Sequence, residues 1–213
     1  VKRREENVEG YLVRSAFDPV NDFMYIANKG TESVMALPAQ DFIDGDFSSA
    51  RSFPPGACCG YEQVIVHPFD SDVIYFRGEA TSYVSRINVS TGEHRNAYSR
   101  LVTWDIDFDR ERNRLYVTKP YTHSVAVIDA DSMEVIEEVK VPGMPRSAVA
   151  MESAGAFAVS TMAGETLYII DAETYEARSR IDCCKMARRM VYDNENRYLF
   201  FSDSCATKRV YIK

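Results

Sequence analysis

Five cysteines are the residues here most able to do chemistry: Cys58, Cys59, Cys183, Cys184 and Cys205. They form two adjacent pairs and one single. Clustered thiols have three outcomes. They can close a structural disulfide, hold a soft metal ion such as zinc or copper(I), or pack as inert apolar side chains in tight junctions. No CxxC spacing supports the metal outcome, and the absence of CxxCH argues against covalent c-type haem.

Charged residues form the second candidate set. Arg14, Asp105 and Arg189 fall at one matching place in the innermost strand of their repeat units and Asp107 two residues on, so the four are expected to line a central channel. Such a set can satisfy itself as an internal ion-pair network or bind a small ion. Histidine offers little, since only His67, His94 and His123 occur. No GxSxG, HExxH, phosphate-loop or GxGxxG pattern is present. Most carboxylates stand in turn sequences such as DPVND, DRER and DNEN, where they accept backbone N–H groups. Asn88-Val89-Ser90 is a formal glycosylation sequon that also reads as turn chemistry.

The elements that position these groups are short strands. The 213 residues carry 46% hydrophobic and 27% charged residues, as expected of a chain that folds. A net charge of −7 argues against general nucleic-acid binding, which rests on neutralising phosphates. No apolar run approaches the roughly 20 residues of a membrane helix. The chain begins without Met and shows no signal-like segment, so a processed chain or a piece of a longer one is expected.

A repeat organises the whole sequence. An aromatic anchor recurs in the second strand of each unit at Tyr25, Tyr75, Tyr116, Phe157 and Phe200, 41–50 residues apart. That period suits four-stranded propeller blades. Third strands recur as SVMAL, YVSRI, SVAVI, TLYII and RVYIK. Turns with a Ser/Thr core follow three of them, NVSTGE, DADSME and DAETYE. The fold expected is all-β, a five-bladed β-propeller of four-stranded antiparallel blades. Its blades run over 11–57, 60–100, 103–142, 146–182 and 187–213, within one domain spanning 1–213. The last blade lacks a fourth strand, which residues 1–8 are expected to supply. Closure of that kind removes exposed strand edges. The alternative is a fragment of a larger propeller.

Leu115–Pro145, LYVTKPYTHSVAVIDADSMEVIEEVKVPGMP, resembles the YVTN-type β-propeller repeat. The match is specific there and looser over residues 11–213. It departs at Lys119, where the family usually has Asn. The resemblance implies an extracytoplasmic propeller, periplasmic or secreted. It also implies use in surface display, in binding, or as the scaffold subunit of some periplasmic dehydrogenases. Propellers host unrelated functions, so the fold leaves activity open.

Mapped on the repeat, all five cysteines and His123 project to one face. Cys58 and Cys59 lie in the junction between blades one and two, Cys183 and Cys184 in that between blades four and five. Cys205 lies in the second-to-third-strand loop of blade five. Tyr61, Trp104, Met144, Arg146, Met186 and Arg188 occupy the entrance band of the same face. Met, Arg and aromatics on one rim match the composition of protein interfaces. The expected function is a non-catalytic binding or assembly module that presents this face to a protein partner or larger complex. The alternative is a subunit of a redox or metal-linked complex with a cysteine-rich face, whose cofactor would be a soft metal ion.

Overall fold

A computed structural model describes residues 10–53, 61–78, 82–98, 102–183 and 187–213. Two compact units make up the chain, Val1–Tyr98 and Ser99–Lys213. Each is built from antiparallel sheets in chain order.

The first unit holds two four-stranded sheets. One is β1 (Leu12–Asp18), β2 (Phe23–Asn28), β3 (Ser33–Pro38) and β4 (Arg51–Phe53). The other is β5 (Tyr61–Val66), β6 (Val73–Gly78), β7 (Tyr83–Asn88) and β8 (His94–Tyr98). The second unit has two four-stranded sheets and one of three strands. Its first is β9 (Asp105–Asp109), β10 (Arg114–Lys119), β11 (Ser124–Asp129) and β12 (Val135–Lys140). Its second is β13 (Pro145–Met151), β14 (Ala156–Thr161), β15 (Thr166–Asp171) and β16 (Ala177–Asp182). Its third is β17 (Arg189–Asp193), β18 (Tyr198–Ser202) and β19 (Thr207–Tyr211). Five sheets of near-identical make-up, each a meander, are the repeating parts from which a β-propeller is built. The strand proposed to complete the last sheet, residues 1–8, lies outside the described residues.

The second strands β6 and β14 are buried on both faces, which is why they read as continuous apolar runs. Tyr25, Tyr75, Tyr116 and Phe157 are all buried. Tyr116 and Phe157 stack with ring centroids 4.2 Å apart and join the cores of neighbouring sheets. Phe200 differs and is exposed. The outer strand β16 is largely exposed and charged, as an outermost strand should be.

One element was not foreseen. The helix α1 (Ala39–Asp44) sits between β3 and β4. It accounts for the longer first repeat, 50 residues between anchors against 41 for the next two. Gly45 ends it in the left-handed conformation, which a residue without Cβ adopts freely.

The turns after the third strands share one construction. Asn88, Asp129 and Asp171 each accept the backbone N–H groups two and three residues on, at 2.8–3.1 Å. A residue with positive φ follows at Gly92, Met133 and Tyr175. The Asx geometry explains why Asn or Asp stands there. Backbone N–H groups, with Arg178 at Asp171, hold the carboxyls of Asp129 and Asp171 below the usual range.

Candidate functional site

In the second unit, junction loops and second-to-third-strand loops lie side by side. Val141 donates its N–H to His123 O at 2.8 Å. Met162 and Ala163 donate to Met144 O and Gly143 O at 2.9 Å each. Cys183 donates to Glu165 O at 2.9 Å, and Arg188 to Ser202 O at 3.1 Å. Gly143 has φ +97, and a Cβ there would meet the Gly164 backbone at 3.0 Å. Only glycine allows the two loops to approach this closely.

A cluster of aromatic, cationic and imidazole groups crowns this arrangement. The Arg146 guanidinium lies 4.5 Å over the Trp104 ring. Tyr121 meets Trp104 edge-on at 6.2 Å and is 58% exposed. Thr118 ties the pair together: its carbonyl accepts from Trp104 N at 3.0 Å, and its hydroxyl donates to Arg146 O at 3.3 Å. His123 Nδ1 accepts from Met144 N at 3.2 Å. His123 is exposed in the left-handed region, while Trp104, Met144 and Arg146 are half-buried. Four residues singled out from the repeat, Trp104, Met144, Arg146 and His123, thus sit on adjoining loops. Tyr121 was missed, because its place in the loop PYT departs from the strand pattern. An aromatic placed just before a loop histidine was the only available signal.

Arg188 stands apart from that cluster, exposed beside a cavity of about 200 Å³ that Ser202, Asp203 and Ser204 also line. Met186 and the side chain of Tyr61 lie outside the described residues.

The cysteines separate by environment. Cys183 is a free, buried thiol. Burial pushes it up, and Asp203 adds to the effect. Cys205 is exposed and donates its N–H to Asp203 Oδ1 at 2.8 Å. Asp203 therefore stands near both residues. Cys58, Cys59 and Cys184 lie outside the described residues. Among the described residues, no group of three His, Cys, Asp or Glu side chains is placed to hold a metal ion.

Of the inner-strand charges, Asp105 and Asp107 are held by their neighbours on β13. Asp105 Oδ2 accepts from the Ser147 hydroxyl and from Ala148 N at 3.3 Å. Asp107 Oδ2 accepts from Ala150 N at 2.8 Å. Burial, with Asp105 and Glu152 nearby, pushes the Asp107 carboxyl up to about 7, against the backbone N–H groups of Ala150 and Phe108. Arg189 belongs to β17 of the same unit and is exposed, whereas Arg14 belongs to β1 of the first unit and is half-buried. His67 serves a turn, its Nδ1 accepting from Phe69 N and Asp70 N at 3.1 and 3.0 Å. Burial lowers His94.

Comparison with known proteins places the fold and nothing finer. No family model and no curated protein matches the chain. Among solved structures, a chain of Kuenenia stuttgartiensis hydrazine synthase superposes with a TM-score of 0.76 at 14% identity. The match covers 97% of this chain and 64% of that one, so the present chain spans about two-thirds of its neighbour's length or slightly less. Identity this low carries the β-rich repeat fold and no residue roles. No helix among the described residues is long and apolar enough to cross a membrane.

Proposed function

We propose that this chain is a non-catalytic binding or assembly module, a five-bladed propeller whose loop face receives a protein partner. The observation that carries the reading is the Trp104–Arg146 stack with the exposed Tyr121 beside it. Trp, Tyr and Arg dominate binding energy at interfaces, because each gives large contact area plus a directed polar group. Pre-stacking Arg146 on Trp104 lowers the entropy lost on binding. Blades of the YVTN repeat type, in a chain that works outside the cytoplasm, belong to the same proposal.

One disulfide belongs to this reading. The supporting observation is that Asp203 lies near Cys183 and bonds to Cys205, which brings the β16–β17 junction beside the β18–β19 loop. Cys183 is a free thiol, so its neighbour Cys184 is the proposed partner of Cys205. A disulfide suits an oxidising compartment. Should the thiols instead hold a soft metal, the chain belongs to a redox or metal-linked complex, as the alternative reading has it.

The test is cross-linking with mass spectrometry in the native source, comparing the chain with W104A and R146A variants. Partner cross-links mapping to the 118–123 and 143–146 loops, and lost in both variants, support the module. Cross-links confined to other surfaces, or unchanged in the variants, overturn it. Metal analysis of the purified chain separates the alternative: stoichiometric zinc or copper favours it, and metal-free protein removes its metal form.

A further inference from the structure

The clefts between consecutive sheets differ, and one of them is hollow. In the second unit, the cleft between the β9–β12 and β13–β16 sheets is filled by its own side chains. Arg114 donates to Ala172 O and Tyr175 Oη at 3.1 and 3.0 Å. Arg112 pairs with Glu173 at 2.6 Å and with Asp109 at 3.3 Å. Asp109 also receives the Tyr116 hydroxyl at 2.7 Å.

The same cleft in the first unit can be aligned position by position. Asp18 pairs with Phe23 as Asp109 pairs with Arg114. Phe23 thus stands where Arg114 does, and Asn21 where Arg112 does. The contact from Val89 N to Asp72 O matches that from Ala172 N to Gly155 O, which sets Ser90 in the place of Glu173. Gly92 N to Asn88 O matches Tyr175 N to Asp171 O, so Gly92 replaces Tyr175. Two guanidiniums and a phenol have been exchanged for a phenyl, a short amide and no side chain at all. The result is a cavity of about 260 Å³ lined by Phe23, Tyr25, Phe53, Arg51, Asp72 and Ser90, among others. That volume equals about nine water molecules, a small-ligand size.

Charge shows what the cavity lacks. Asp18 does not itself line the cavity but neighbours Tyr25, which does; it is 1% exposed, and its Oδ2 has no hydrogen-bond partner. Its counterpart Asp109 Oδ2 receives both Tyr116 and Arg112. A buried carboxylate oxygen without a donor is costly, so a cation is called for where the guanidiniums stood. Tyr25 lies close to both Asp18 and Asp72, and burial together with these two carboxylates pushes its hydroxyl up to about 12. It therefore remains a donor at neutral pH. Phe23, Tyr25 and Phe53 supply faces on which a cation can rest. At the rim, Arg51 pairs across the ladder with Ala36 as Glu137 does with Val127, so the charge is inverted there.

We propose that this cleft binds a small organic cation that also carries a carboxylate. The cation occupies the site of the missing guanidiniums near Asp18 and Asp72, and the carboxylate meets Arg51. Titration calorimetry on the purified chain tests it with 4-guanidinobutanoate up to about 10 mM, a range that reports millimolar affinity. Butanoate, without the cation, and propylguanidine, without the carboxylate, are the controls. Saturable binding of 4-guanidinobutanoate is expected, with about tenfold weaker binding of propylguanidine and none of butanoate. R51A should bring 4-guanidinobutanoate to the propylguanidine level. F23R, which restores the guanidinium of the sister cleft, should abolish binding while keeping a cooperative melt. No binding by the chain, equal binding of butanoate, or full binding by folded F23R would each overturn the proposal.

Discussion

The Tyr116 hydroxyl donates to the carboxylate of Asp109 at 2.7 Å, and both residues are fully buried. Burial and that carboxylate raise the phenol well above its ordinary value. Tyr116 was legible as an anchor of the repeat, but its bond to the acidic turn was not. The turn FDRE therefore does more than reverse the chain. Its first carboxylate reaches back into the core. Y116F should cost about 1–3 kcal/mol, because the buried oxygen of Asp109 then keeps only Arg112. Urea denaturation checks this. A loss below about 0.5 kcal/mol would mean that Arg112 alone satisfies the carboxylate.

Asp107 makes stability depend on pH. Its folded value of about 7 lies above the ordinary 3.8. Between those values the folded chain holds the proton and the unfolded chain has lost it. Stability from this group is thus full below about pH 4 and falls as pH rises through 7. D107N keeps an acceptor for Ala150 N and loses the charge. It should be more stable than the parent above pH 7 by about 1–2 kcal/mol, after discounting for partial exposure. The difference should vanish near pH 4. Equal pH profiles for the two proteins would refute the assignment.

Lys119 stands nearly buried and pairs with Glu138, which itself receives the Ser124 hydroxyl at 2.9 Å. In the first sheet the same position is Asn28, whose Oδ1 accepts from Tyr11, Gly30 and Thr31 N–H groups. Removing the acid alone strands a cation. E138A should destabilise by about 1–3 kcal/mol, discounted from a fully buried pair because Glu138 is partly exposed. K119N should cost less. Chemical denaturation of both variants decides the order.

Trp104 is the one tryptophan, so its fluorescence reports the loop face without interference. R146A removes the cation above the ring and leaves the indole more open to water. A red shift in emission and stronger iodide quenching are expected, with little change in melting temperature, since such a contact is worth about 0.5–1 kcal/mol. An unchanged spectrum would show that the stack does not persist in solution.

Thiol counting addresses the cysteines. With one disulfide, three of the five cysteines react in denaturant without reductant, and all five react after reduction. Natively Cys183 should alkylate slowly, because it is buried and its thiolate is disfavoured. Five reactive thiols before reduction would rule the disulfide out.

The amino-acid pattern alone determined the strand repeat, its all-β class and the kinship of the loops. Alternation, Asx turns and the aromatic anchors are local signals, and each strand satisfies its own backbone only through neighbours close in sequence. The grouping of Trp104, Met144, Arg146 and His123 was readable for the same reason, since repeat position predicts loop position. What only the tertiary structure decided involves residues from different repeats. Arg146 rests on Trp104, Asp105 and Asp107 bond to β13, and the cleft beside Phe23 stays open while the one beside Arg114 closes. The helix α1 also escaped the pattern, because six residues leave too few turns to show a helical period. Side chains that meet across sheets do so through packing at a distance. No spacing along the chain encodes whether an arginine fills a cleft or a glycine leaves it empty.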